Sequence, residues 1–191
     1  LINDIAPNPD FELLSKQAKL YSQVKDKPEV IVALGGGSVI DSAKVFAAAG
    51  NGFDNIKHFL ETKNGGQGLS STPIIAVPST SGTGSEVTCW ATVWDKKNNH
   101  KYSLAHKKLF PEIAIIDPKL MIEKPYELTL VTALDALSHA LESIWNINAN
   151  IISSSHATYS AKSILKILPN LLSDLNNIHL RTEMASASLS A

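Results

Sequence analysis

What this sequence lacks narrows it quickly. A single cysteine, Cys89, excludes an intrachain disulfide and fits a reducing compartment, so a cytoplasmic location is expected. Basic residues number 17 against 18 acidic ones, so no basic surface for nucleic acid is expected. No apolar run approaches membrane-spanning length and no secretory leader is visible, so no membrane partner is expected either. An ordinary beginning and end are also missing. Residue 1 is Leu, and the chain stops at Ser190-Ala191 inside a helical pattern (Met184, Ala187, Leu189) without a stop signal. A piece of a longer chain, or its ordered part, is expected. What remains is a globular composition, 44% hydrophobic over 191 residues, enough for a real core and up to two domains.

One stretch organises the rest. Val30 to Leu34 is a short apolar run rich in β-branched residues, which reads as a buried parallel strand. Gly35-Gly36-Gly37 follows, then Ser38 and an alanine-rich helix to about Ala49. Ser38 is a candidate N-cap, and Asp41, three residues on, could complete a capping box. Glycines let a phosphate approach the backbone, and the first helical turn points its N–H groups at it. A tight strand-to-helix turn without a ligand has the same signature, and the spacing is not G-x-G-x-x-G.

Around that stretch the pattern predicts a helix from Asp10 to about Lys25, closed by Asp26-Lys27-Pro28. Gly50-Asn51-Gly52 stops the alanine-rich helix, a short helix spans Asp54 to Glu61, and 63–72 is an exposed loop. Pro73 to Pro78 is a second buried strand that runs into Ser79-Thr80-Ser81-Gly82-Thr83-Gly84-Ser85-Glu86-Val87-Thr88. Hydroxyls and bare backbone donors at the carboxyl end of a strand suit phosphate, ribose or amide groups. A flexible Ser/Gly loop is the plainer reading. A hairpin (88–94 with 101–104) and a short strand (113–116) complete a mostly parallel α/β region.

Beyond Pro125 no strand-like run returns. Leu128 to Trp145 and Asn150 to Leu168, broken at Pro169, read as helices, followed by 170–175 and 178–191. The expected organisation is an α/β domain over 1–124 and the start of an all-helical domain over 125–191. In the long helix Asp135 and His139 lie four apart, on one face. A carboxylate and an imidazole so placed can grip one divalent cation. Their apolar flanks suggest a face near the core, and an Asp–His ion pair is the alternative. Glu142 is either a third ligand or a solvated glutamate.

Gly35-Gly36-Gly37-Ser38-x-x-Asp41, then Pro78-Ser79-Thr80-Ser81-Gly82-Thr83-Gly84-Ser85-Glu86-Val87-Thr88, then Asp135-x-x-x-His139-Ala140-x-Glu142, in that order, resemble the iron-containing (group III) alcohol dehydrogenases. The resemblance covers nearly the whole chain. It implies a Rossmann-like dinucleotide-binding α/β domain followed by a helical metal-binding domain. It further implies NAD or NADP held by Gly36, Gly37 and Ser38, with Asp41 bracing the turn. Ser79, Thr80, Thr83, Ser85 and Thr88 would line the rest of the cofactor site, with Lys101 near it. Asp135 and His139 would be the first two ligands of Fe2+, or of Zn2+. The partner implied is a small alcohol or aldehyde, and a homodimer is allowed for.

Ser79 stands where many members have Thr, which keeps the hydroxyl. The family's first nucleotide-binding strands would precede Leu1, and its two remaining metal histidines would follow Ala191. That leaves half of the metal set here and the activity of the isolated chain open. The segments 90–95 and 101–104 look like a branch that reduces phosphonoacetaldehyde. Two other classes stay open: a dehydroquinate-synthase-like lyase that uses NAD internally, and a non-catalytic nucleotide-binding module.

Overall fold

The computed structural model describes residues 1–25, 28–50 and 52–191. Asp26, Lys27 and Asn51, on which two of the expected helix stops depend, lie outside them. The residues group into two units, Leu1–Val77 with Ser85–Ile115, and Pro78–Gly84 with Ile116–Ala191. The segment Pro78–Gly84 therefore belongs with the second unit although its sequence neighbours on both sides belong with the first.

In the first unit, helix α1 (Phe11–Ser22) starts where Asp10 accepts the Glu12 N–H at 3.0 Å, and it buries Leu14, Ala18 and Tyr21. Strand β1 (Ile31–Gly35) leads into α2 (Gly37–Ala49), followed by α3 (Asp54–Thr62). Strand β2 (Ile74–Pro78), the hairpin β3 (Trp90–Asp95) and β4 (His100–Ala105), and the short β5 (Ile113–Ala114) complete it. The sheet order is β1-β2-β5, and β2 and β5 run parallel with Ile75 opposite Ile113. The hairpin is a separate antiparallel pair rather than an insertion into that sheet, with Trp90 opposite Ala105 and Asp95 opposite His100.

Helix α2 packs against β1, β3 and α1. That is why it is alanine-rich: Ala43, Ala47, Ala48 and Ala49 are all buried, along with Ile40, Val45 and Phe46. A helix buried on nearly every side must be apolar on nearly every side. The expectation of a buried β1 holds only for Ala33. Val32 and Leu34, on the other face, are 61% and 59% exposed. Nor is all of 63–72 exposed: Leu69 is buried and joins the core.

The second unit holds α4 (Tyr126–Ile144), α5 (Ile151–Ser173) and α6 (Ile178–Leu189), preceded by a short 3-10 turn, Pro118–Met121. Ala133 and Ala136 on α4 meet Ile164, Leu168 and Leu171 of α5 and Met184 and Ala187 of α6. Asn150 caps α5 through a reciprocal bond with Ser153. The expected break at Pro169 does not occur, because α5 continues through it. Pro169 costs one helical N–H, but Leu168 before it and Leu171 after it are both buried, and this packing outweighs the lost bond. The residues 170–173, expected as a separate helix, are therefore the last turn of α5.

Candidate functional site

The glycine turn is built by backbone geometry. Gly35 has φ +155°, and a Cβ there would fall 2.6 Å from Val39 Cγ2, so both conformation and space require glycine. Gly36, not Ser38, is the N-cap of α2, and no side chain caps that end. The expected Ser38–Asp41 capping box is thus corrected. Ser38 lies inside the first turn and accepts the Asn8 N–H at 3.2 Å. Val39 N–H already donates to Gly36 O at 2.9 Å, so by helix geometry the N–H groups at Gly37 and Ser38 are the ones left without an intrahelical acceptor, which is what an anion needs.

Asp41 is free to point elsewhere, and it does. Its carboxylate accepts Ser85 Oγ at 2.6 Å and the Thr92 N–H at 2.8 Å. Burial pushes its pKa up, and these bonds together with the charges of Lys44 and Lys101 oppose that rise. Beside it lies a residue that motif reading passed over. Lys44 is fully buried and donates to Ser85 O at 2.6 Å, Ser85 Oγ at 2.9 Å, Trp90 O at 2.7 Å and, at 3.5 Å, Thr88 Oγ1. Its only sequence signal is a lone cation in an alanine helix, three residues after Asp41.

The structure therefore brings Asp41, Ser85 and Thr88 together around Lys44. Ser85 is 3% exposed and its hydroxyl is engaged by both charged groups, so it works inside the protein, joining α2 to the 85–92 segment. Burial lowers the Lys44 pKa to about 8, against the raising effect of Asp41, Cys89 and Glu86. Glu86, also buried, is pushed up. Lys101 is exposed on β4, with its ammonium 5.4 Å from the Trp94 ring centroid. It lines a cavity of about 610 Å³ with Trp90, Lys63 and Tyr102.

Ser79, Thr80 and Thr83 belong to the second unit. Ser79 and Thr80 are half-buried and Thr83 is exposed. Gly82 packs on α4 so closely that a Cβ would meet Thr132 Cβ and its carbonyl oxygen at 2.9 Å. Further along α4, Asp135 Oδ1 and His139 Nε2 are 3.7 Å apart, with side chains 42% and 45% exposed. The expectation of a face near the core is corrected: the inward face carries Ala133, Ala136 and Ala140, while Asp135 and His139 face outward. Glu142 accepts Ser138 Oγ at 3.0 Å. Among the described residues no three His, Cys, Asp or Glu side chains gather as a metal cluster. The Asp135–His139 pair fits a divalent ion as two of its ligands, being one anionic oxygen and one imidazole nitrogen on a shared face.

A family model described as iron-containing alcohol dehydrogenase matches residues 1–118, and one for the C-terminal part of that family matches 129–191. An aldehyde-alcohol dehydrogenase of Streptococcus pneumoniae is 34% identical over 97% of this chain and 22% of its own length. An NAD-dependent methanol dehydrogenase of Bacillus methanolicus is 33% identical over 97% of this chain and 48% of its own. Among solved structures, a sulfoacetaldehyde reductase from Bifidobacterium kashiwanohense, in complex with NAD+, superposes with a TM-score of 0.89. It is 34% identical and matches 98% of this chain and 49% of that one. The chain spans about half or less of the length of these relatives. The glycine turn and the Asp135–His139 helix thus stand on a shared fold, and the chain belongs to the iron-containing alcohol dehydrogenase family.

Proposed function

We propose that the protein carrying this chain is an NAD- or NADP-dependent, metal-dependent oxidoreductase that interconverts a small alcohol and aldehyde. The observation that carries the reading is the uncapped start of α2 at Gly36, held in place by the buried Asp41–Ser85–Lys44 network. Gly36, Gly37 and Ser38 would receive the pyrophosphate on the first-turn N–H groups. Asp41, Ser85 and Thr88 would hold that turn rigid, while Ser79, Thr80, Thr83 and Lys101 would offer hydroxyls and one cation to the rest of the cofactor. Asp135 and His139 would hold the metal. When bound, the nicotinamide supplies the hydride, and Fe2+ or Zn2+ supplies Lewis-acid polarisation of the substrate oxygen. Residues 1–124 would be the nucleotide-binding part and 125–191 the beginning of the metal-binding part. A homodimer in the cytoplasm completes the reading.

The finer proposal is an aldehyde bearing an anionic group, phosphonoacetaldehyde being the candidate. The resemblance of 90–95 and 101–104 supports it, as does the likeness to a sulfoacetaldehyde reductase. The experiment is aldehyde-dependent NAD(P)H oxidation by the full-length protein, before and after chelation and with Fe2+ or Zn2+ added back. Activity should fall on chelation and return with one metal. Asp135→Ala and His139→Ala should abolish turnover and leave NADH binding intact. Full activity without metal, or in either variant, overturns the metal assignment. Net oxidation of NADH separates a dehydrogenase from a lyase, which returns its hydride.

A further inference from the structure

The helical unit contains two buried cations, and among the described residues neither forms an ion pair. Arg181 is 1% exposed and spends its donors on neutral acceptors. Its Nε donates to Leu175 O at 2.9 Å and Nη1 to Thr129 Oγ1 at 2.9 Å. Its Nη2 donates to Ile122 O at 3.3 Å and Lys124 O at 2.9 Å. Four of the five guanidinium N–H donors are thus used, and two of them pin the backbone at 122–124. Lys124 is different. It is 8% exposed, and its ammonium, with three protons to donate, has one hydrogen bond among the described residues, to Thr132 Oγ1 at 3.1 Å. A buried cation with one neutral acceptor and a cationic neighbour is an incomplete arrangement.

Its place in the fold says what could complete it. Gly82 packs against Thr132, so the hydroxyl-bearing 78–84 segment adjoins the residue that accepts from Lys124. Ser81 anchors the same segment by donating to Met121 Sδ at 3.1 Å. Thr132 also precedes Asp135 by three residues, about one turn of α4, or roughly 5 Å along the axis. At about 1.5 Å per bond, that separation matches a two-carbon chain between a carbonyl oxygen and an anionic group.

We propose that Lys124, supported by Thr132, is the seat for the anionic end of the substrate, a phosphonate or sulfonate oxygen, while the carbonyl end lies at Asp135 and His139. The assignment deepens the dehydrogenase reading and rests on it. It makes Lys124 a specificity-determining residue: charge-assisted bonds favour anionic aldehydes, and neutral ones leave the ammonium unsatisfied.

The test is calorimetric titration of the full-length protein with ethylphosphonate, inorganic phosphate and 1-propanol. Ethylphosphonate should bind, and Lys124→Met should weaken it about tenfold or more. Lys124→Arg should restore part of the loss, and 1-propanol should be indifferent to both variants. NADH affinity, read by fluorescence, should be unchanged in Lys124→Met. An equal loss of NADH affinity assigns Lys124 to a cofactor phosphate and overturns the proposal. So does ethylphosphonate binding that is absent, equally strong in Lys124→Met, or no tighter than inorganic phosphate. Should Lys124→Met fail to fold, 15N spectra of the lysine ammonium groups in the unaltered full-length protein decide: ethylphosphonate must shift the Lys124 signal. Lys124-dependent ethylphosphonate binding without any NADH binding would leave the anion seat standing and remove the dehydrogenase reading. NADH binding without ethylphosphonate binding would do the reverse.

Discussion

Two buried lysines, one in each unit, have the same lowered pKa of about 8 and opposite circumstances. Lys44 faces four oxygens and the carboxylate of Asp41 two bonds away through Ser85. Lys124 faces one hydroxyl and the positive charge of Arg181. Burial is the main cause of the shift in both, so the pKa alone does not distinguish them. Partner count does. A saturated buried cation is a fastener, and an unsaturated one is available to a ligand.

The largest expected effect separates the two directly. Lys44→Met removes a buried cation bonded to Ser85 and takes its charge away from the buried Asp41 carboxylate, so it should cost about 3–5 kcal/mol. Lys124→Met replaces an ill-satisfied cation with an apolar side chain of similar length, and its cost should stay within about 1 kcal/mol. Urea unfolding of both variants measures this, and equal losses would erase the contrast.

Next in size is the glycine turn. Gly35→Ala must overlap Val39 and hold an unfavourable φ, which should cost about 1–3 kcal/mol and weaken NADH binding. An alanine variant with unchanged stability and NADH affinity would deny the turn its geometric role.

The pH dependence of stability comes third. Both lysines have folded pKa values below their ordinary 10.5, so between about pH 8 and 10.5 the unfolded chain binds more protons and stability should rise with pH. Asp41 and Glu86 act at the other end: their raised pKa values give stability that is full below the ordinary carboxylate range and declines as pH climbs above it. Denaturation across pH 4 to 10 should show the fall and then the rise, and Lys124→Met should remove part of the rise. A flat alkaline limb would mean that neither ammonium is as desolvated as its burial implies.

The smallest effect is expected at Asp135. The pair with His139 is roughly half exposed, so Asp135→Asn should change stability by less than about 0.5 kcal/mol while weakening metal binding. A large loss of stability would make the pair structural.

Much of the fold follows from local sequence. The run from Ile31 to Gly35 followed by α2 follows from β-branched residues, glycines and an alanine run, all local signals. So do the β3–β4 hairpin and the helical character beyond Pro125. Short motifs name candidate residues at Gly36, Gly37, Ser38, Asp41, Asp135 and His139. No motif points to Lys44, Lys124 or Arg181. A lysine among alanines carries no mark of whether it meets water or four oxygens, because its partners lie more than forty residues away. The Ser38–Asp41 capping box shows the same limit: a local pattern was available, but Ser85 and Thr92 offered Asp41 better bonds.

Local chemistry alone indicates the order of strands and helices and the i,i+4 spacing of Asp135 and His139, since these depend on residues close together in the chain. Only the tertiary structure decided that α5 runs through Pro169, that Pro78–Gly84 packs with the helices, and that Asp135 and His139 face outward. It also decided which of two buried lysines is saturated. Those outcomes depend on what long-range packing buries, and burial is a property of neighbours that a linear pattern does not name.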